Sequence, residues 1–350
     1  MKKKKILGCI IVFCFLIIIN GCIHVSHPYD FFAWAVGNED ENGKSMLLFS
    51  GDSGKTWNRQ GLDVLPVGKT LNDIYAINSS EVWAAGTQRL VIRTTDSGSS
   101  WEIIDLTNIA SNSVFSCISV YEDTIWLSGE NGLIVSSNDD GESWTIHELP
   151  ASATDYLIQG IHAINESLIY AVGNKSSEIP GLVLRTADGG LTWENIDLPN
   201  NYNENAWIGV KATDKNHVVI FGQQGHCVVT ANGGKQWVTG GPLFKRDINS
   251  LVMLDEKTYW AACDFDTIIW TDNYGISWIE QKSAGGNNSY LLDIAVLDES
   301  HALIAGESFG YPQYGKIIRT SNGGEKWEVS YSATECEIPI TNVTIAKEYY

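Results

Sequence analysis

One eight-residue pattern occurs seven times in the 350 residues of this chain: Ser or Thr, any residue, Asp or Asn, any residue, Gly, two further residues, then Trp. The first copy runs from Ser50 to Trp57. The others end at Trp101, Trp144, Trp193, Trp237, Trp278 and Trp327, 41 to 49 residues apart. A period of about forty-five residues restricts the chain to repeat architectures, in which each unit buries its apolar face on its neighbours.

Other apolar segments keep step with this pattern. A short run ending in Gly precedes each copy, as in WAVG (Trp34–Gly37), WAAG (Trp83–Gly86) and YAVG (Tyr170–Gly173), with Cys263 replacing Gly in WAAC (Trp260–Cys263). Upstream of six of these runs lies an apolar alternation such as DIYAIN (Asp73–Asn78) or DIAVLD (Asp293–Asp298). A third run leads into the Ser or Thr, and a fourth follows the Trp. Four strands of about five residues each, separated by turn residues, predict a propeller blade. The first unit begins at Phe31 with no room for an inner strand, while Ile340–Lys347 aligns with Asn72–Ala76. The expected fold is therefore all-β: a seven-bladed propeller of four-stranded blades over residues 31–350, its C-terminal strand completing blade 1. Closure of this kind leaves no open ladder edge at the seam.

The pattern sits between the third and fourth strands. Asp52, Asp96, Asp139, Asp188, Asn232, Asn273 and Asn322 occupy its centre. Their side chains can accept hydrogen bonds from nearby backbone N–H groups, and the Gly supplies the positive φ of a tight reversal. The Trp is expected to pin the hairpin to its blade. Copies spread over every blade serve as structural fasteners, not as seven active sites.

Residues 1–21 are set apart from the fold. Lys2–Lys5 and the apolar run Ile6–Ile19 have the form of a secretory signal, too short for an ordinary spanning helix. The run ends at Ile19-Asn20-Gly21-Cys22, which resembles a bacterial lipoprotein box with Cys22 as the lipidated residue; Asn20 departs from the usual small residue. A plain signal peptide or an uncleaved anchor is the alternative. Residues 22–30 then form a lipidated tether of at most about 35 Å when extended. Acyl chains at Cys22 would hold the chain at a membrane, on the extracytoplasmic side of the cell envelope.

Without residues 1–21, which carry four Lys and no acid, 19 basic residues face 42 acidic ones, a net charge of −23. Such a surface disfavours nucleic acid. Cys117, Cys227, Cys263 and Cys336 show no spacing of a metal site, and the sequence implies no cofactor and no metal centre. Cys117 and Cys227 fall in columns otherwise filled by aliphatic residues and are expected to be buried.

The repeats resemble Asp-box, or bacterial neuraminidase, repeats. In the forms RTTDSGSSW, RTADGGLTW and RTSNGGEKW they look like those of the photosystem II stability and assembly factor propellers. That resemblance covers the chain after the leader. It implies a seven-bladed, non-catalytic scaffold that holds other proteins at a membrane. Sialidases share the boxes but need three Arg converging on a substrate carboxylate, because only a planar fork binds both oxygens. Six Arg follow the leader. Arg93, Arg185 and Arg319 share one repeat column and point alike on three blades, Arg59 lies on an outer strand, and Arg89 and Arg246 lie in loops near the channel mouth.

The spacing from the marker Gly, or Cys263, to the next box is 8 residues in blades 2, 3, 5 and 6, but 13 in blades 1 and 4 and 14 in blade 7. The longer connections, Asn38–Ser45, Asn174–Pro180 and Glu307–Gly315, are candidate contact elements. The blade-7 loop carries Phe309, Tyr311 and Tyr314, which suit a protein partner or a sugar ring, or fold the loop onto blade 1. With Glu307, Asp264, Asp266 and Arg89 they make up the candidate binding surface. Asp264 and Asp266 either share a Ca²⁺ or form a solvated acidic turn, the second being favoured. The sequence thus points to a non-catalytic envelope lipoprotein acting as an assembly scaffold for membrane or envelope proteins. The alternative is glycan binding, or sialidase-like hydrolysis, at the channel mouth.

Overall fold

In the structure, a computed structural model, residues 16–19, 22–25, 30–175, 178–198, 205–241, 245–283, 289–308, 314–332 and 338–346 are described. Alternating apolar residues build short strands, and these pair into seven four-stranded antiparallel sheets. Blade 2 shows the order: Leu71–Ala76 innermost, then Val82–Gly86, Val91–Thr94 and a two-residue outer strand, Glu102–Ile103. The second strand of each blade is buried along most of its length, because it is flanked by sheets on both faces. Among the described residues the only helices are 3₁₀ turns, Ala151–Ala153 and Gln223–Gly225. A separate hairpin pairs Leu16–Ile19 with Cys22–Val25.

Blade 1 closes the ring as the repeat count requires. Ile340–Ile345 pairs antiparallel with Ala33–Glu39, placing Trp34 opposite Thr344 and Ala35 opposite Val343. Phe31, Ala33 and Met46 of blade 1 pack with Leu303 and Ile317 of blade 7 and with Ile340 and Val343 of the closing strand.

Every inner strand carries one extra residue near its start. The register shifts at Leu71/Asp73, Phe115/Cys117, Ile158/Gly160, Trp207/Gly209, Ile248/Ser250 and Leu291/Asp293, and again opposite Val36/Gly37. A bulge bends its strand and re-aims side chains. It also explains the marker Gly: a Cβ at Gly86 would lie 1.8 Å from the Thr70 carbonyl oxygen, and one at Gly129 1.9 Å from that of Val114. A side chain does not fit so close to a neighbouring backbone at these two positions, although blade 6 carries Cys263 at the corresponding one.

The bulge moves Cys117 out of the aliphatic column assigned to it from the sequence. It stands in register with Asp73 and lines the central channel, half-buried, whereas Cys227 is buried between blades 5 and 6.

The box Trp fastens more than its own hairpin. Trp101 packs with Trp34 and Val36 of blade 1, and the Trp327 ring meets Trp260 of blade 6 edge-on at 6.0 Å. Trp57 donates its indole N–H to Ser330 Oγ of blade 7 at 3.2 Å. The outer strands, two residues long in blades 1 to 4 and three to five in blades 5 to 7, offer the ring little surface of their own, and it reaches back over the preceding blade.

Candidate functional site

The boxes use their polar groups on their own turns. Thr94 Oγ1 donates to Asp96 Oδ1 at 2.8 Å and accepts the Gly98 N–H at 2.9 Å. Asp96 in turn accepts the Ser100 N–H at 2.8 Å and its hydroxyl at 2.6 Å. Asp52, Asp139 and Asp188 repeat this network. Asn232, Asn273 and Asn322 keep the central acceptor, receiving the N–H groups of Gln236, Ser277 and Lys326. The partner four residues on is a hydroxyl in five of the boxes, a position the sequence reading left unassigned. The boxes share a face with the turns joining first to second strands, as the Ser97 N–H bonded to the Ser80 carbonyl shows.

The opposite face holds the hairpins joining second to third strands. The longer connections of blades 1, 4 and 7 extend the hairpin ladder outward, pairing Glu39 with Ser45, Lys175 with Glu178 and Glu307 with Gly315. Glu307 is half-buried, and burial raises its carboxyl pKa. Tyr314 donates its N–H to Ser308 Oγ at 2.9 Å. Phe309 and Tyr311 lie outside the described residues. Blade 6 turns at Phe265 and Asp266, both with positive φ.

Asp266 is not a solvated carboxylate. It is 5% exposed and meets Lys316 Nζ at 2.6 Å, joining blade 6 to blade 7. Asp264 instead accepts the Asn249 amide at 2.9 Å, and burial raises its pKa. The two carboxylates are thus committed to different partners. Among the described residues no group of three or more His, Cys, Asp or Glu side chains is placed to hold a metal ion.

All six arginines are engaged locally. Arg93 binds Glu81 Oε1 through Nε and Nη2 at 2.9 and 2.7 Å and lies over the Trp83 ring. Arg59 pairs with Asp40 at 2.8 Å, and Arg185 with Glu194 at 2.9 Å. Arg319 donates to the Ser53 carbonyl, Arg89 to the Ile109 carbonyl at 2.7 Å, and Arg246 to Thr267. They bring no cluster of guanidinium groups to one point.

The sequence reading pointed to the channel mouth but did not single out the residues that line the channel. A cavity of about 220 Å³ lies at the bulges, lined by Asp73, Asp293, Asn342, Lys211, Gln159 and Asn249 among others. Asp73 accepts the Ile118 N–H of the next blade at 2.7 Å, and Asp293 accepts the Val343 N–H at 2.9 Å. Asn342 donates to Asp73, and Ser250 to Asp293 at 2.6 Å, so the chain of bonds passes from blade to blade. Burial, reinforced by the Asp293 charge, pushes the Asp73 carboxyl up to about 7. Burial and nearby Lys211 lower His162 to about 4. Cys117 is pushed up to about 12 by burial and by Asp73, which keeps it a thiol. Only the bulge register brings these residues together, and alternation counted on the sequence does not show it.

Seven closed blades fastened by boxes, with a polar channel and no converging arginines among the described residues, define a seven-bladed Asp-box propeller. A family model described as photosynthesis system II assembly factor YCF48 matches residues 60–174 and 113–240. These spans take in more than half of the chain, and it belongs to that family.

Among solved structures, the chain is similar to YCF48 bound to a D1 peptide: 18% identity, 85% of this chain and 86% of that one covered, TM-score 0.60. It is also similar to YCF48 from Cyanidioschyzon merolae: 20% identity, 76% and 86% covered, TM-score 0.57. An ancestral GH74 enzyme matches at 15% identity and TM-score 0.56, over 90% of this chain but 40% of the enzyme. At these identities the likeness is one of fold. No curated protein sequence matches the chain.

Proposed function

We propose that this protein is a non-catalytic interaction scaffold that assists assembly of membrane-bound protein partners, held at the envelope by lipid on Cys22. The observation that carries the reading is the engagement of every arginine within the fold, in a chain of an assembly-factor family. A carboxylate clamp of the sialidase kind needs guanidinium forks that converge, and these six are spread around the ring. What remains is a rigid ring with projecting hairpins, suited to hold a segment of another protein. That a family member has been solved with a bound peptide supports a protein partner.

The contact surface in this reading is the hairpin face around Glu307 and Tyr314. A photo-crosslinking residue at Tyr314, compared in living cells with one at exposed Leu191 on the box face, tests it. Membrane or envelope proteins are expected from the first position and not the second. Equal background at both sites sinks the scaffold reading, and a glycan-array signal abolished by Tyr314→Ala replaces it with the carbohydrate one. Cys22→Ala is expected to move the protein out of the membrane fraction; full retention there excludes the lipid anchor.

A further inference from the structure

The central cavity divides its charge. Asp293, Asn342 and Asp73 belong to three successive blades, 7, 1 and 2, on one wall, and Lys211 comes from blade 5 on the other side. Asp73 receives the N–H groups of Ile74 and Ile118 and the amide of Asn342. Asp293 receives Ser250 Oγ and the N–H groups of Val343 and Ile294. A carboxylate offers about four acceptor directions; Asp73 also meets the Cys117 thiol, and Asp293 keeps one direction unused. Lys211 has no hydrogen bond or ion pair among the described residues, and the neutral His162 beside it adds no second cation. On the same wall Gly160 and Gly209 bring main chain up to the cavity, since a Cβ on Gly160 would lie 2.9 Å from the Gly209 Cα.

Lys211 feels Asp73 and Asp293 from across the cavity without a contact ion pair, and the two neighbouring carboxylates on one wall repel each other, so the site left to itself is electrostatically unfavourable. A cavity of about 220 Å³ has room for several waters, or for one small polar molecule in their place. Amide side chains line it, and the charges of opposite sign stand too far apart to pair directly. A ligand carrying both charges would answer both walls at once.

We propose that this cavity binds a small zwitterion of the free α-amino acid class, its carboxylate on Lys211 and its ammonium between Asp73 and Asp293. The site is independent of any partner on the hairpin face.

Isothermal titration of the full chain with glycine, L-serine and L-glutamine tests it, with acetate and methylamine as singly charged controls. At least one amino acid binds with a Kd below about 1 mM, and the controls bind roughly tenfold or more weakly. Lys211→Met weakens the amino acid by roughly tenfold or more, while its unliganded melting temperature stays that of the parent. If Lys211→Met melts lower, the milder Lys211→Gln is read in its place. The proposal falls if no amino acid binds at about 10 mM, if the controls bind as well, or if the folded lysine variant binds like the parent.

Discussion

Thr94, Asp96 and Ser100 show how much of a blade rests on single side chains. The Asp96 carboxylate holds three hydrogen-bonding groups of one turn, and Asp96→Ala leaves the Ser100 N–H and hydroxyl to solvent. A loss of roughly 1–3 kcal/mol in urea unfolding is expected. For Asp96 the hydroxyl and N–H of Ser100 outweigh the opposing effect of burial and lower its pKa, and Asp188 falls to about 2 through Thr192. Their stabilisation is present above the ordinary carboxylate range and fades as pH falls through the folded values.

Asp73 behaves in the opposite sense. Its folded pKa of about 7 lies above the ordinary 3.8, so between these values the folded state holds a proton that the unfolded state has released. Its contribution is therefore most favourable in acid and declines as pH rises from about 4 to about 7. Asn342 of blade 1 and Cys117 of blade 3 face it from the neighbouring blades, and Asp293 of blade 7 and Lys211 of blade 5 line the same cavity. Asp73→Ala lowers stability through the orphaned Ile118 N–H, and the deficit relative to the parent shrinks as pH is raised across that window. A deficit constant from pH 4 to 7 in urea titrations refutes this assignment. The box residues were legible in the sequence because their partners lie within four positions. Asp73 and Cys117 were not, because one inserted residue per strand changes which side chains meet.

Strands and hairpins add contacts between blades that no single repeat contains. Lys316, on the third strand of blade 7, reaches Asp266 in the blade-6 hairpin and Ser289 at the start of the blade-7 inner strand. Lys316→Met strands a buried carboxylate, for which roughly 3–5 kcal/mol of destabilisation is expected. Adding Asp266→Asn, which tolerates the positive φ, recovers part of that loss; melting temperatures of the single and double variants measure it. The sequence placed Asp266 on the surface because hairpin tips are usually wet. Its true partner is 50 residues away, one blade further on. The marker Gly was equally visible as a pattern, but its cause was not, since the colliding carbonyl belongs to the bulged strand beside it.

At the scale of the whole molecule, strand count and closure were legible because a repeat that lacks a strand at one end and has a spare at the other has one economical solution. The pairing of Trp34 with Thr344 and of Gly37 with Ile340 is that solution. Removing residues 338–350 is expected to expose the Ala33–Glu39 edge, abolish the single cooperative unfolding transition and give oligomers by size-exclusion chromatography. A monomeric product with an unchanged transition shows that the seam contributes little. The seam also has a consequence in time. Because the strand that closes the ring follows every other strand of the propeller yet belongs to its first blade, a nascent chain can stack its middle wedges early but cannot lock the circle until residues 340–345 emerge. Premature release of the polypeptide therefore yields an open horseshoe with a sticky end, and quality control has one simple feature to inspect.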